Sequence, residues 1–237
     1  FDPAEADQAI AEGKLDLVSM ARAWVSNPDY GKLIYEGRAD DIVPCLRCNK
    51  CHGRGPNDPY YSVCSVNPKL GIEHRLNVLV QQPGPSQKIA VIGGGPAGMK
   101  AAMDLCDRGH RVTLFEKEAK LGGLIRHADY VDFKWTLKDF KDYLIHQVEK
   151  RGIEVRHNTE ATPEMIAAEN FDRVIAATGS VTALPPIKGI DNKIVVTGFD
   201  TMMDAVEVGQ NVVVIGGGEV GVEAGMHMAK TGRNVTV

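Results

Sequence analysis

One short pattern occurs twice in the chain, as Ile92-Gly-Gly-Gly-Pro-Ala-Gly98 and as Ile215-Gly-Gly-Gly-Glu-Val-Gly221. Each copy follows a short apolar run and opens a helical pattern. In that setting the spaced glycines have separate tasks. The first permits a tight turn, the second lets a pyrophosphate approach the backbone, and the third lets helix and strand pack closely. The helix N-terminus then turns unpaired N–H groups and the positive end of its dipole towards the phosphates. Two copies imply two nucleotide-binding folds rather than a solenoid array, and so an α/β chain.

The surroundings of the first copy complete its fingerprint. Residues 88–92 read as an apolar strand, Pro96 to Arg108 as a helix stopped by Gly109, and His110 to Glu116 as the next strand. Glu116 closes that strand, where an acid would hold the ribose hydroxyls of an adenosine. Further on, Thr136 to Arg151 places Leu137, Phe140, Leu144 and Val148 on one helical face, and 153–156 and 173–177 supply more strands. The second copy repeats the opening: strand 211–215, turn, helix and a strand beginning at Asn234. Its own ribose-reading position falls beyond Val237, so the choice between NADH and NADPH is not readable.

A second feature precedes these folds. Cys45, Cys48, Cys51 and Cys64 form C-x2-C-x2-C-x12-C. Three thiolates at this spacing can wrap one face of a cubane, and a fourth from a loop completes the all-cysteine ligation of a [4Fe–4S] centre. Zinc is the rival, although structural zinc sites usually use two separated C-x2-C pairs. His52 beside the run is read as solvent-facing. Residues 44–71 have little periodicity and are rich in Cys, Pro, Gly and Asn, a composition that a metal site would stabilise. The fifth cysteine, Cys106, lies mid-helix and reads as a core residue. An odd cysteine count without a visible secretion signal argues against a disulfide framework.

Before the cysteines, Ala4 to Glu12 is helix-like and Leu15 to Met20 reads as a buried strand. A helical stretch with Pro28 and a stop at Gly37 follows. Arg22 comes directly after the strand, where barrel enzymes collect phosphates; a surface ion pair is the competing role. Residues 77–87 read as a linker. The Ala177-Thr178-Gly179 turn could approach a cofactor or simply end a strand. His110, His127, His146 and His157 share no spacing and receive no role. The alternation Lys138-Asp139, Lys141-Asp142 reads as a solvated helix face.

Composition narrows the partners. In 237 residues, 43% are hydrophobic and 24% charged, with a net charge of −4, which gives no support to binding nucleic acid or an acidic membrane. No stretch approaches the roughly 18 apolar residues of a membrane helix. The expected setting is the cytoplasm, and both ends read as cuts in a longer protein.

Taken together, the parts resemble the old-yellow-enzyme-like NADH:flavin oxidoreductases that carry an iron–sulfur cluster. That family includes 2,4-dienoyl-CoA reductase, 2-enoate reductase and trimethylamine dehydrogenase. The resemblance covers essentially the whole chain. It rests on Asp16-Leu17-Val18-Ser19-Met20-Ala21-Arg22, Asn27-Pro28-Asp29, the quartet, Ser65-Val66-Asn67-Pro68, both glycine patterns and Ala177-Thr178-Gly179. It implies the C-terminal end of an FMN-binding TIM barrel over 1–43 and a [4Fe–4S] segment over 44–76. A linker over 77–87, a Rossmann-like FAD-binding domain over 88–190 and the start of an NAD(P)-binding domain over 191–237 would follow.

The same resemblance implies site roles. Ala21 and Arg22 would meet the FMN phosphate, and Cys45, Cys48, Cys51 and Cys64 would hold the cluster. Gly93, Gly95, Pro96, Ala97, Gly98, Glu116 and Lys117 would bind FAD, or ADP in the amine dehydrogenase branch. Gly122 and Gly123 would cover that cofactor, with Thr178 and Gly179 beside it, and Gly216, Gly218 and Gly221 would take NAD(P)H. Electrons would pass from NAD(P)H through FAD and the cluster to FMN, and then to a small molecule with an activated C=C bond. No catalytic residue is assigned, because the substrate pocket and proton donor belong to the barrel. The chain alone is therefore expected to lack reductase activity; a homo-oligomer of the full-length protein is left open. Three alternatives stay open: an electron-input subunit like the glutamate synthase small subunit, an amine dehydrogenase of the same family, and a zinc-stabilised nucleotide-binding module without redox turnover.

Overall fold

The computed structural model describes residues 2–53, 62–80 and 82–237. Phe1, residues 54–61 of the cysteine-rich segment and Gln81 of the linker lie outside them. The N-terminal part is helical. Asp2 caps α1 (Pro3–Ala11) by accepting from the Ala4 N–H at 2.9 Å, with Pro3 at the first helical position. Two short helices follow, α2 (Ala21–Ser26) and α3 (Tyr30–Tyr35), joined by the ring pair Trp24–Tyr30 at 5.8 Å.

The strand expected over 15–20 does not form. These residues run without ladder pairing, and Leu17 is 87% exposed. A parallel strand needs neighbours to share its hydrogen bonds and cover for both faces, and the described residues supply neither there. The expected linker also begins differently, since α4 (Leu76–Leu79) occupies its first residues.

The first nucleotide fold matches its pattern closely. Strands β1 (Lys88–Ile92), β2 (Arg111–Phe115), β3 (Glu154–Arg156) and β4 (Arg173–Ala176) form one parallel sheet in the order β3-β2-β1-β4. Helices α5 (Pro96–Asp107) and α6 (Trp135–Lys150) fold against it, and α7 (Pro163–Ala168) precedes β4. Val91, Met99, Ala102, Leu114, Leu121, Leu144 and Val148 make its core, and Cys106 packs partly buried against it as expected. The strand order reverses at β1. The crevice between the ends of β1 and β4 is therefore the switch point at which doubly wound sheets bind ligands.

Asp40 and Asp41 tie the N-terminal part of the chain to this fold. Gln147 Nε2 donates to Asp40 O at 3.1 Å and to Asp41 Oδ1 at 2.9 Å, and Lys150 Nζ reaches Asp41 Oδ1 at 2.6 Å. The expectation of a wholly solvated Lys138–Asp142 face fails at Lys141. That residue lies three before Leu144 and seven before Val148, on the helix's inward face; it is 5% exposed and pairs with Asp129 at 3.0 Å.

The second fold contributes α8 (Gly198–Met202), β5 (Asn211–Val213), α9 (Glu219–Lys230) and β6 (Asn234–Thr236), with β5 and β6 parallel. Its core of Met202, Ala224 and Met228 includes Val131 from the segment between β2 and α6, so the two folds share apolar cover. No helix among the described residues is long and apolar enough to cross a membrane.

Candidate functional site

The two glycine loops are near copies in backbone conformation. Gly93 has φ +107° and Gly216 φ +115°, a region that L side chains rarely adopt. Gly95 and Gly218 cap α5 and α9 with φ −74°, ψ 179° and φ −77°, ψ 179°. A Cβ at Gly98 or Gly221 would overlap the carbonyl oxygen of Gly93 or Gly216 respectively. The third glycine in each copy is therefore required by packing alone. The second is not: a Cβ at Gly95 would have its nearest neighbour at 3.9 Å, and at Gly218 nothing lies within 4 Å. These are the two positions where the backbone stands open above a helix N-terminus.

The first loop has further walls. The Ala177-Thr178 backbone closes on Gly93 so tightly that any side chain there would collide with the Ala177 carbonyl. Gly122 N donates to Gly94 O at 2.9 Å, and a Cβ on Gly123 would lie 3.0 Å from Gly95 Cα. Buried Lys141 packs its methylenes against Gly122, a role that sequence reasoning missed because the Lys-Asp alternation around it reads as solvated. Glu116 is 6% exposed. Its carboxylate accepts from Gly94 N at 2.7 Å and from Glu118 N at 2.8 Å. Pro96 occupies the first position of α5, while Ala97, Lys117, Thr178 and Gly179 are exposed around the loop. The second loop is more open, with no wall within 4 Å of a Cβ on Gly216.

The four cysteines come together. Cys45, Cys48, Cys51 and Cys64 line one small cavity, with Arg22, Val25, Leu46, Asn49, Ser65 and Val66. The loop gets its sharp turns from Arg47 and Asn49, whose φ values are +55° and +57°. Arg47 N donates to Cys45 Sγ at 3.4 Å, and Cys48 Sγ lies 3.3 Å from Ser65 Oγ. Burial pushes the Cys48 thiol up, but Ser65, the backbone at Lys50 and the Lys50 charge outweigh it and hold the thiol below its ordinary range.

The donor set can be tested against the two candidate metals. Among the described residues no group of three or more His, Cys, Asp or Glu side chains is drawn together around a single ion. Four thiols lining one pocket are a donor set that either an iron–sulfur centre or a zinc ion could use. None of the five cysteines is in a disulfide.

Arg22 faces this cavity too, donating to Asn49 Oδ1 at 2.7 Å; Ala21, its neighbour, is exposed at the start of α2. Asn67 is a residue whose part sequence reasoning did not define. It is 8% exposed, donates to Val25 O at 2.9 Å and accepts from Lys69 N at 3.1 Å. It thereby ties the segment after Cys64 to α2. Ser26 does the same for the segment before Cys45, bonding Ala23 O at 2.9 Å and Val43 O at 3.3 Å.

A nucleotide fold with these loops defines a class, and the comparisons agree. The chain belongs to the pyridine nucleotide-disulphide oxidoreductase family, whose model matches residues 87–237. Over 241 residues it is 39% identical to an NADH oxidase from Thermoanaerobacter brockii, covering 100% of this chain and 37% of the relative. A cinnamate reductase from Clostridium sporogenes is 34% identical over 237 residues, 100% of this chain and 35% of that protein. The solved structure of a 2-naphthoyl-CoA reductase in complex with 2-naphthoyl-CoA superposes with a TM-score of 0.90 at 36% identity, covering 99% of this chain and 36% of that one. These relatives belong to the 2,4-dienoyl-CoA reductase and trimethylamine dehydrogenase family, the resemblance found in the sequence. The chain spans about a third of the length of the relatives it matches.

Proposed function

We propose that this chain is the electron-input region of an NAD(P)H-dependent flavin and iron–sulfur oxidoreductase that reduces an activated C=C bond of enoate or dienoyl-CoA type. The observation that carries it is the single cavity lined by Cys45, Cys48, Cys51 and Cys64, packed beside a nucleotide-binding fold. When bound, a [4Fe–4S] centre supplies a one-electron relay between two flavins, FAD and FMN, and NAD(P)H supplies the electron pair.

The chain's own residues then have these tasks. Cys45, Cys48, Cys51 and Cys64 ligate the cluster. Gly93, Gly95, Pro96, Ala97 and Gly98 offer backbone N–H groups and the α5 dipole to the FAD pyrophosphate. Glu116, held by two backbone amides, accepts from the ribose hydroxyls, with Lys117 beside it. Gly122, Gly123, Thr178 and Gly179 wall the cofactor. Gly216, Gly218 and Gly221 receive NAD(P)H, and the intact second fingerprint favours a nicotinamide-using reductase over the amine dehydrogenase branch. Ala21 and Arg22 sit at the edge of an FMN-binding barrel whose last portion is residues 1–43. The reading places the enzyme in the cytoplasm, where thiol ligands stay reduced.

The test is anaerobic purification of the full-length protein, followed by iron, acid-labile sulfide and zinc analysis and a visible spectrum. About four iron and four sulfide per chain, with absorption that bleaches on dithionite and flavin released on denaturation, is the expected result. One zinc per chain in a colourless preparation never exposed to air would overturn it.

A further inference from the structure

We infer that Ser65 is a positioning residue for the cluster: its hydroxyl donates a hydrogen bond to the Cys48 sulfur and raises the cluster's reduction potential. The inference rests on the proposed [4Fe–4S] reading. Ser65 Oγ lies 3.3 Å from Cys48 Sγ, and both residues line the cysteine cavity. In the free protein either atom could donate. A ligating cysteine is a thiolate and carries no proton, so the hydroxyl must be the donor once metal is bound.

The effect follows from charge. Reduction adds an electron to a cluster already carrying anionic sulfurs, and a donor aimed at a ligand sulfur stabilises the more negative state. The potential therefore rises when the hydroxyl is present. Ser65 suits this task for a local reason. It immediately follows Cys64, so the same backbone that delivers the fourth ligand delivers the donor to the second. Asn67, two residues further on, fixes that backbone to Val25 O at 2.9 Å. Arg47 N–H approaches Cys45 Sγ at 3.4 Å, but as a backbone donor it survives any side-chain change. Ser65 Oγ, by contrast, is a side-chain hydroxyl within hydrogen-bond reach of a quartet sulfur.

The experiment is an EPR-monitored redox titration of the full-length enzyme and its S65A, S65V and S65T variants, each with iron and sulfide counted first. S65A and S65V should retain the cluster with its midpoint shifted to lower potential. S65T keeps the hydroxyl in nearly the shape of valine and should titrate like the wild type. Equal midpoints in all four proteins would overturn the inference while leaving the cluster reading intact. A wild-type enzyme without iron and sulfide would overturn the cluster reading itself. If S65A and S65V both lost the cluster while S65T kept it, the hydroxyl would serve assembly, and the claim of tuning would fall.

Discussion

The guanidinium of Arg47 lies 4.4 Å from the centre of the Trp135 ring, joining the cysteine loop to the first turn of α6. Arg47 stands between Cys45 and Cys48 in a left-handed conformation, so its side chain is thrown outwards from the cavity towards the nucleotide fold. Trp135 is 46% exposed, which puts this cation–π contact near the low end of its usual range, at about 0.5–1 kcal/mol. A double-mutant cycle of R47A and W135L on chemical unfolding should return a coupling energy of that size. A coupling of zero would mean the two residues are neighbours without energetic consequence.

The glycine loops predict two different kinds of failure from one kind of substitution. G98A places a methyl group on the Gly93 carbonyl, so the loop must break; a cost of about 3 kcal/mol or more is expected, with flavin content falling alongside stability. G95A meets nothing closer than 3.9 Å in the free protein and should leave the melting temperature nearly unchanged. On the proposed reading it should still weaken FAD binding at least about tenfold, or 1.4 kcal/mol, because the methyl group would occupy the approach of the pyrophosphate. Thermal melts and flavin titration of the two variants separate the roles. A G95A protein with wild-type flavin affinity would remove the pyrophosphate from that place.

Glu116 makes a prediction that combines both effects. Its carboxylate satisfies the buried N–H of Gly94 and the N–H of Glu118, so E116A leaves donors unpaired at a cost of about 1–3 kcal/mol. E116Q keeps an acceptor oxygen for one amide and should lose less stability than E116A. On the proposed reading both should bind FAD more weakly, because the anionic acceptor for the ribose hydroxyls would be gone. Equal stability of E116A and wild type would show that the carboxylate's bonds contribute nothing net.

Much of this was legible in the sequence, because the glycine patterns and the cysteine spacing impose local geometry that neighbours cannot override. Gly93, Gly98, Gly216 and Gly221 sit where backbone sterics demand them, and α5 begins at Pro96 and gives way to Gly109 as read. The strand expected over 15–20 fails to form for the opposite reason. Its apolar pattern encodes a surface to be covered, and the covering partners are not among the described residues. At Lys141 the charge pattern and the helical phase point opposite ways, and the phase prevails. The lysine's place on the buried face is set by Leu144 and Val148, and its charge is answered by Asp129, twelve positions earlier. The roles of Asn67 and Ser26 depend on a tertiary contact with α2 that no local pattern announces.

Acid should loosen the attachment of the N-terminal segment to α6 only at strongly acidic pH. Asp41 is largely buried, its side chain 11% exposed, which by itself would raise its pKa. Hydrogen bonds from Lys150, Gln147 and Arg38 more than offset this and hold the carboxyl well below the usual carboxylate range. A carboxylate whose folded pKa is depressed adds stability that is fully present above the unfolded value of about 3.9 and disappears as pH falls through the folded value. The advantage of wild type over D41N should therefore be constant from neutral pH down to about 5, and shrink progressively below about pH 4. At neutral pH the substitution should cost about 1–2 kcal/mol, since it leaves Lys150 and Arg38 without their shared anion. Urea unfolding of both proteins from pH 7 to pH 3 measures this. A difference that grew on acidification would carry the wrong sign for a depressed carboxylate and would detach Asp41 from the three donors around it.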